Sequence, residues 1–133
     1  FSHFKLSLIR FLAVNLSSSG QPDLGALNLL LFFAKKEVFQ WLLQGQKTID
    51  IRKGNPKLGE IAVFQWGSSI LRLKIVKTEC GQLTDILRLD NFKAVIPSAV
   101  VLGDAIGYLW GIYGVNDGVF TAYYVARLFV SKK

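Results

Sequence analysis

Apolar and polar positions along the chain divide it into short elements. LNLLLFF, Leu27–Phe33, is an apolar run of strand length, and it predicts a strand buried on both faces. AKKEVFQWLLQG follows, with Val38, Phe39, Leu42 and Leu43 at helical spacing and Gly45 placed to stop the helix. TIDIRK then alternates: Ile49 and Ile51 face one way, Thr48, Asp50 and Arg52 the other. GNPKLG, Gly54–Gly59, has turn chemistry. EIAVFQW and ILRLKIVKTE predict a hairpin turning at Gly67–Ser69, with Leu71, Leu73 and Ile75 on one face and Arg72 and Lys74 on the other. LTDILRLDNFKAVIPSA predicts short helices capped by Thr84 and Asn91 and broken at Pro97. Leu102, Ala105, Ile106, Leu109 and Ile112 predict a longer helix ending near Gly114, and after the NDG turn VFTAYYVARLFV predicts a final strand. Strands and helices in this order argue for an α+β domain around a curled or closed sheet.

Phe1–Ala26 reads differently. FSHFKLSLIRFLAV is apolar with Lys5 and Arg10 interspersed, and NLSSSGQPDLG resembles a linker. Arg10 breaks the apolar run that a secretory signal would need, and no stretch reaches the ~18 apolar residues of a membrane span. The expectation is an N-terminal extension, residues 1–26, that orders on a partner; read-through upstream of a start near Leu27 is the competing account. Residues 27–130 form the expected domain.

GQKT, Gly45–Thr48, is one residue away from the end of a phosphate-binding loop. Gln46 stands where that loop needs glycine, and the order of elements is reversed, helix before strand. A helix C-terminus repels anions, whereas the phosphate loop uses an N-terminus. The nucleotide-loop reading therefore fails. What remains is a polar strand face, Thr48, Asp50 and Arg52, with Lys47 at its mouth, Lys53 and Lys57 in the following turn, and Lys35 and Lys36 opening the preceding helix. Such a face suits a phosphate chain or a planar polar ligand. An exposed Asp50–Arg52 surface pair is the plainer alternative.

Charge adds to this picture. The chain carries a formal net charge of +7, and residues 27–133 hold 14 basic and eight acidic side chains, a surplus of +6. A polyanionic partner is indicated, and the domain itself would be the main contact surface. The single cysteine, Cys80, excludes an intrachain disulfide and a cysteine zinc site, and reads as a small buried hydrophobe. With His3 as the one histidine, triads built on histidine and multi-histidine metal sites have little support. No metal and no cofactor is expected.

The run GQKTIDIRKGNPKLGEIAVF resembles the signature of ASCH domains: Gly45 and Lys47 at the end of the first helix, a following strand, Arg52 five residues after the lysine, and Gly59 before the next strand. GVFTAYYVARL resembles the closing strand, so the resemblance spans roughly Leu27 to Leu128. It implies a small PUA-like curled β-barrel with flanking helices and a cleft between barrel and helices that takes RNA or nucleotides. Some members of the family resemble amidohydrolases of acylated nucleosides, using a lysine, a threonine three residues later and a distant glutamate. Carried over, the lysine is Lys47, the threonine position holds Asp50 instead, and Glu79 is the nearest later glutamate, with no motif to tie it to the role. Others in the family are ribonucleases. Asp50 could act as a base, though cations on both sides weaken it there.

Three functions follow. The leading one is a cytoplasmic RNA-binding protein, a ribonucleoprotein or ribosome-associated component with ribosomal RNA as one candidate partner. Its contacts would be Lys35, Lys36, Lys47, Thr48, Asp50, Arg52, Lys53 and Lys57, with Arg72 and Lys74 extending the surface. The second is a small hydrolase of a modified nucleoside or RNA using Lys47, Asp50 and Glu79, with Tyr123 as a hydrogen-bond donor. The third is a protein-interaction module anchored by Trp41 or Trp66.

Overall fold

The computed structural model describes residues 28–115 and 117–128; the expected extension, Phe1–Ala26, lies outside them. The elements run β1 (Leu29–Phe33), α1 (Lys36–Gln44), β2 (Ile49–Lys53), β3 (Ile61–Trp66), β4 (Ser69–Gln82), α2 (Leu83–Ile86), α3 (Phe92–Val95), α4 (Leu102–Tyr113) and β5 (Val119–Arg127). The strands form one sheet in the order β1-β3-β4-β5-β2, with β1 parallel to β3 and every other pair antiparallel. This is the α+β architecture expected, with the sheet curled into a half-barrel.

The curl is measurable from side chains. In a flat sheet β1 and β5 would lie three strand spacings apart, roughly 14 Å. Yet the rings of Phe32 on β1 and Tyr123 on β5 have centroids 5.1 Å apart. Arg52, on the far strand β2, places its Cζ 4.7 Å from the Phe32 ring. The two ends of the sheet thus approach each other, and Arg52 fills the seam between them.

The long β4 makes this possible. Its first half pairs with β3 and its second half with β5, and the register shifts between Ile75 and Lys77. The extra residue, Val76, is a bulge, which bends a strand and increases its twist. The concave face buries Leu30, Phe32, Ala62, Phe64, Leu73, Tyr123 and Val125, and α1 caps it with Val38, Phe39 and Leu42. On the convex side of β2 and β5, Ile49, Ile51, Phe120 and Ala122 pack under α2, α3 and α4.

Several local expectations change. Thr84 lies inside α2, whose first turn follows Gln82, and Asn91 precedes α3 without capping it. Its side chain instead accepts from the Arg88 N–H and donates to the Ile86 carbonyl, holding the α2–α3 link. Cys80 is exposed rather than buried; it pairs with Thr121, on the opposite face of β4 from Glu79 and the helix-covered Ala122. Gly59 has a steric reason: a Cβ there would lie 2.6 Å from Leu30 Cγ, so only glycine lets the β2–β3 loop pass β1.

Candidate functional site

Helix α1 ends where the sequence places its stop. Gly45 takes a left-handed conformation (φ 82°), and the N–H groups of Gln46 and Lys47 both turn back onto the Trp41 carbonyl. That reversal sends the Lys47 side chain under the sheet instead of into solvent. Its ammonium donates to the carbonyls of Ile49 (2.8 Å) and Val95, and lies 3.7 Å from Asp50 Oδ1. On the next turn of the pleat, Asp50 Oδ2 accepts a 2.6 Å hydrogen bond from Arg52 Nε. Lys47 and Asp50 are 3 % and 4 % exposed, whereas the Arg52 side chain keeps 25 % of its surface in solvent.

The Asp50–Arg52 pair is therefore no surface pair. Asp50 stands opposite Tyr123, on the concave face that holds the core. Burial pulls the Lys47 ammonium down to about 8, with Asp50 opposing that shift and Arg52 adding to it. At neutral pH Lys47 is charged, and its three N–H bonds face three oxygens. Two cations thus share one carboxylate, and this buried cluster carries a net charge of +1.

The cluster floors a cavity of about 110 Å³ whose lining includes Lys35, Lys47, Asp50, Arg52, Tyr108 and Tyr113. Its walls are the start of α1, strand β2 and one side of α4. The first turn of α1 has no side-chain cap, so its free N–H groups give the wall a positive end, which Glu37 partly offsets. The Tyr108 hydroxyl donates to Glu37 across the α1–α4 gap, and Lys35 Nζ lies 5.4 Å from the Tyr108 ring centre. Burial and the Glu37 carboxylate push the Tyr108 phenol up, so it stays a neutral donor. Burial also raises Tyr113.

On the other side of Arg52 a second cavity, about 250 Å³, opens along the β1–β2 seam, with Phe32, Arg52, Lys53, Asn55, Lys57 and Tyr123 in its lining. Arg52 lines both spaces. Of the expected contact residues, then, Lys35, Lys47, Asp50 and Arg52 meet at the first cavity, and Arg52, Lys53 and Lys57 at the second.

Others are not brought together. Thr48 is exposed just before β2 and lines neither cavity. Lys36 turns its ammonium toward the Trp66 ring, 5.8 Å away. Arg72 and Lys74 stand opposite Val63 and Ile61, on the outer face of the sheet and two strands from β2, so they extend neither cavity. Glu79 also leaves the expected set. It pairs with Ala122, whose neighbour Tyr123 faces Asp50, so Glu79 and Asp50 lie on opposite faces. There Glu79 accepts from the Tyr124 hydroxyl (2.8 Å) and from Arg88, and the Tyr124 bond chiefly holds it below the usual carboxylate range. Tyr108 and Tyr113 are the cavity residues the sequence reading missed. Polar-tipped rings spaced among Gly107, Gly111 and the helix-ending Gly114 were the available signal, masked by an otherwise apolar helix.

No family model matches the chain, and no curated protein matches it. Among solved structures, it is similar to the crystal structure of hypothetical protein PH0355, with a TM-score of 0.63 at 13 % identity over 75 % of this chain and 99 % of that one. At that identity the likeness concerns the fold alone. Among the described residues no helix is long and apolar enough to cross a membrane, and no three potential metal ligands cluster.

Proposed function

We propose that this chain is an RNA-binding ASCH-type domain with a PUA-like barrel, and that one nucleotide of the RNA sits in the cavity above Lys47, Asp50 and Arg52. One observation carries the reading: a buried cluster with a net charge of +1 underlies a solvent-reachable cavity. A charge surplus held in low dielectric attracts an anion more strongly than the same charge on the surface does. The start of α1 adds oriented N–H groups, and Tyr108 and Tyr113 add ring surface on which a base stacks. The overall surplus of basic residues supports the same partner.

Hydrolysis has weaker support. The three groups it would draw on do not converge, since Glu79 faces away, and the Lys47 ammonium is already committed to two carbonyls.

The test is a ¹H–¹⁵N titration of the protein with a short single-stranded RNA. Saturable shifts are expected at Lys35–Val38, Asp50–Arg52 and Tyr108–Tyr113. Shifts confined to the Arg72–Lys74 face, or none at all, would overturn the proposal.

A further inference from the structure

The seam cavity between β1 and β2 has features that the first cavity does not explain. Arg52, Lys53 and Lys57 all contribute to its lining, Arg52 from the concave face of β2 and Lys53 from the end of that strand with its register position on the opposite face, and none of the described lining residues is acidic. The loop that carries Asn55 and Lys57 is tied down at both ends. The Gly54 N–H donates to the Val119 carbonyl (2.8 Å), and the Thr121 hydroxyl donates to the Gly54 carbonyl (2.7 Å). The Lys57 N–H donates to the Tyr123 hydroxyl (3.0 Å). Pro56 removes further freedom between them.

Thr121 and Tyr123 are almost wholly buried, at 1 % and 2 % exposed. A buried hydroxyl is costly unless bonded, and valine or phenylalanine would fill the same core volume. Here both hydroxyls fix one short surface loop. The Tyr123 hydroxyl accepts from Lys57 and keeps its own proton to donate, on the wall of the cavity. A backbone held this way loses little freedom when a ligand arrives, so less ordering entropy opposes binding at this loop.

From this geometry we infer that the seam cavity is a phosphate subsite. It takes a phosphate ester through Arg52, Lys57 and the Tyr123 hydroxyl, with Lys53 adding charge at the rim. Arg52 stands between the two cavities, so a phosphate in the seam is adjacent to a nucleotide in the first cavity. That continuity rests on the RNA-binding reading; the phosphate site itself does not.

The experiment uses the full chain and three probes: inorganic phosphate, a nucleoside 5′-monophosphate and a single-stranded RNA hexamer. Two double variants are compared, K53A/K57A in the seam and K74A/K77A, which removes equal charge from β4. Inorganic phosphate and the monophosphate are expected to shift the amides of residues 54–58 saturably in the wild type and in K74A/K77A, and not in K53A/K57A. Hexamer affinity should fall about tenfold in K53A/K57A and at most about threefold in K74A/K77A, the loss expected from general charge alone. Equal losses in the two variants, or loop shifts that survive in K53A/K57A, overturn the subsite. If the hexamer binds and K53A/K57A leaves its affinity intact, the subsite falls and the RNA reading stands. If phosphate titrates the seam but no RNA binds, the RNA reading falls and the subsite stands for free phosphate esters.

Discussion

If the floor of the first cavity attracts RNA by its charge surplus, affinity should follow that charge step by step. Lys47 and Arg52 share Asp50, so the wild-type floor carries +1. Asp50→Asn is close to isosteric, with the amide oxygen able to accept from Arg52 Nε, but it removes the carboxylate that holds the Lys47 proton, so Lys47 turns neutral near pH 7 and the floor stays near +1. Lys47→Met and Arg52→Met each lower it to zero. A unit charge ~6 Å from a phosphate is worth ~3 kcal/mol at an effective dielectric of ~20. Water in an open cavity reduces this to ~1–2 kcal/mol, or about tenfold in affinity per charge. At neutral pH the expected order is therefore wild type and Asp50→Asn close together, then Lys47→Met, with Arg52→Met weakest because it also removes a direct contact. Fluorescence anisotropy with a labelled single-stranded RNA at two salt concentrations measures the series, and circular dichroism confirms that each variant is folded. A folded Asp50→Asn protein that binds more weakly than Lys47→Met would refute the electrostatic argument. So would a flat series across all four proteins.

Three further outcomes are expected. Arg52→Met should lose about 3–5 kcal/mol of stability in urea unfolding, because it strips the 2.6 Å partner from a buried carboxylate; the double variant Asp50→Asn/Arg52→Met should lose less than the sum of the singles. Lys47 titrates near 8 in the fold against an ordinary 10.5, so the unfolded chain holds that proton more tightly between those values. Wild-type stability relative to Lys47→Met should thus rise with pH over that window, while RNA affinity falls from pH 7 to 9 as the floor loses its charge, and Lys47→Met should show neither trend. Gly59→Ala should lower stability by about 1–3 kcal/mol, since its Cβ meets Leu30 at 2.6 Å, whereas Gly103→Ala, in open space on α4, should be neutral or gain up to about 1 kcal/mol, both read from thermal melts.

The alternation of Ile49 and Ile51 against Asp50 and Arg52 was legible, because the pleat enforces it. Which side meets water was not, because alternation reports sidedness only, and in a curled sheet the polar side can be the inside. Alternation thus sets Asp50 and Arg52 on one face, and the burial of Asp50 there comes from the curl of the sheet. Glu79 shows a different limit. Leu71, Leu73 and Ile75 face inward, and an unbroken strand would turn residue 79 inward as well. One bulge residue, Val76, reverses that parity, and no turn signal in KIVKTE announces it. The aromatic walls were hidden for a third reason. Tyr108 and Tyr113 sit on a helix with mostly apolar neighbours, and only the packing of α4 against α1 and β2 shows which side lines the cavity.

Arg52 reconciles two roles that the sequence left as alternatives. As a brace it uses Nε on Asp50 and the flat of its guanidinium on Phe32, closing the seam between the ends of the sheet. As a contact it lines both cavities and keeps a quarter of its side chain in solvent. A lysine could not do both, because its donors radiate from one nitrogen, whereas a guanidinium presents a planar fork with separate edges. Bracing fixes one edge of that fork in the core and so holds the group in place for a ligand before any ligand binds. On the proposed reading, a substitution of Arg52 therefore lowers stability and affinity together. The half-barrel also stays open at its β1–β2 seam for the same reason: a side chain, not a backbone ladder, joins the two ends of the sheet, and a side chain can face a ligand where paired strands cannot.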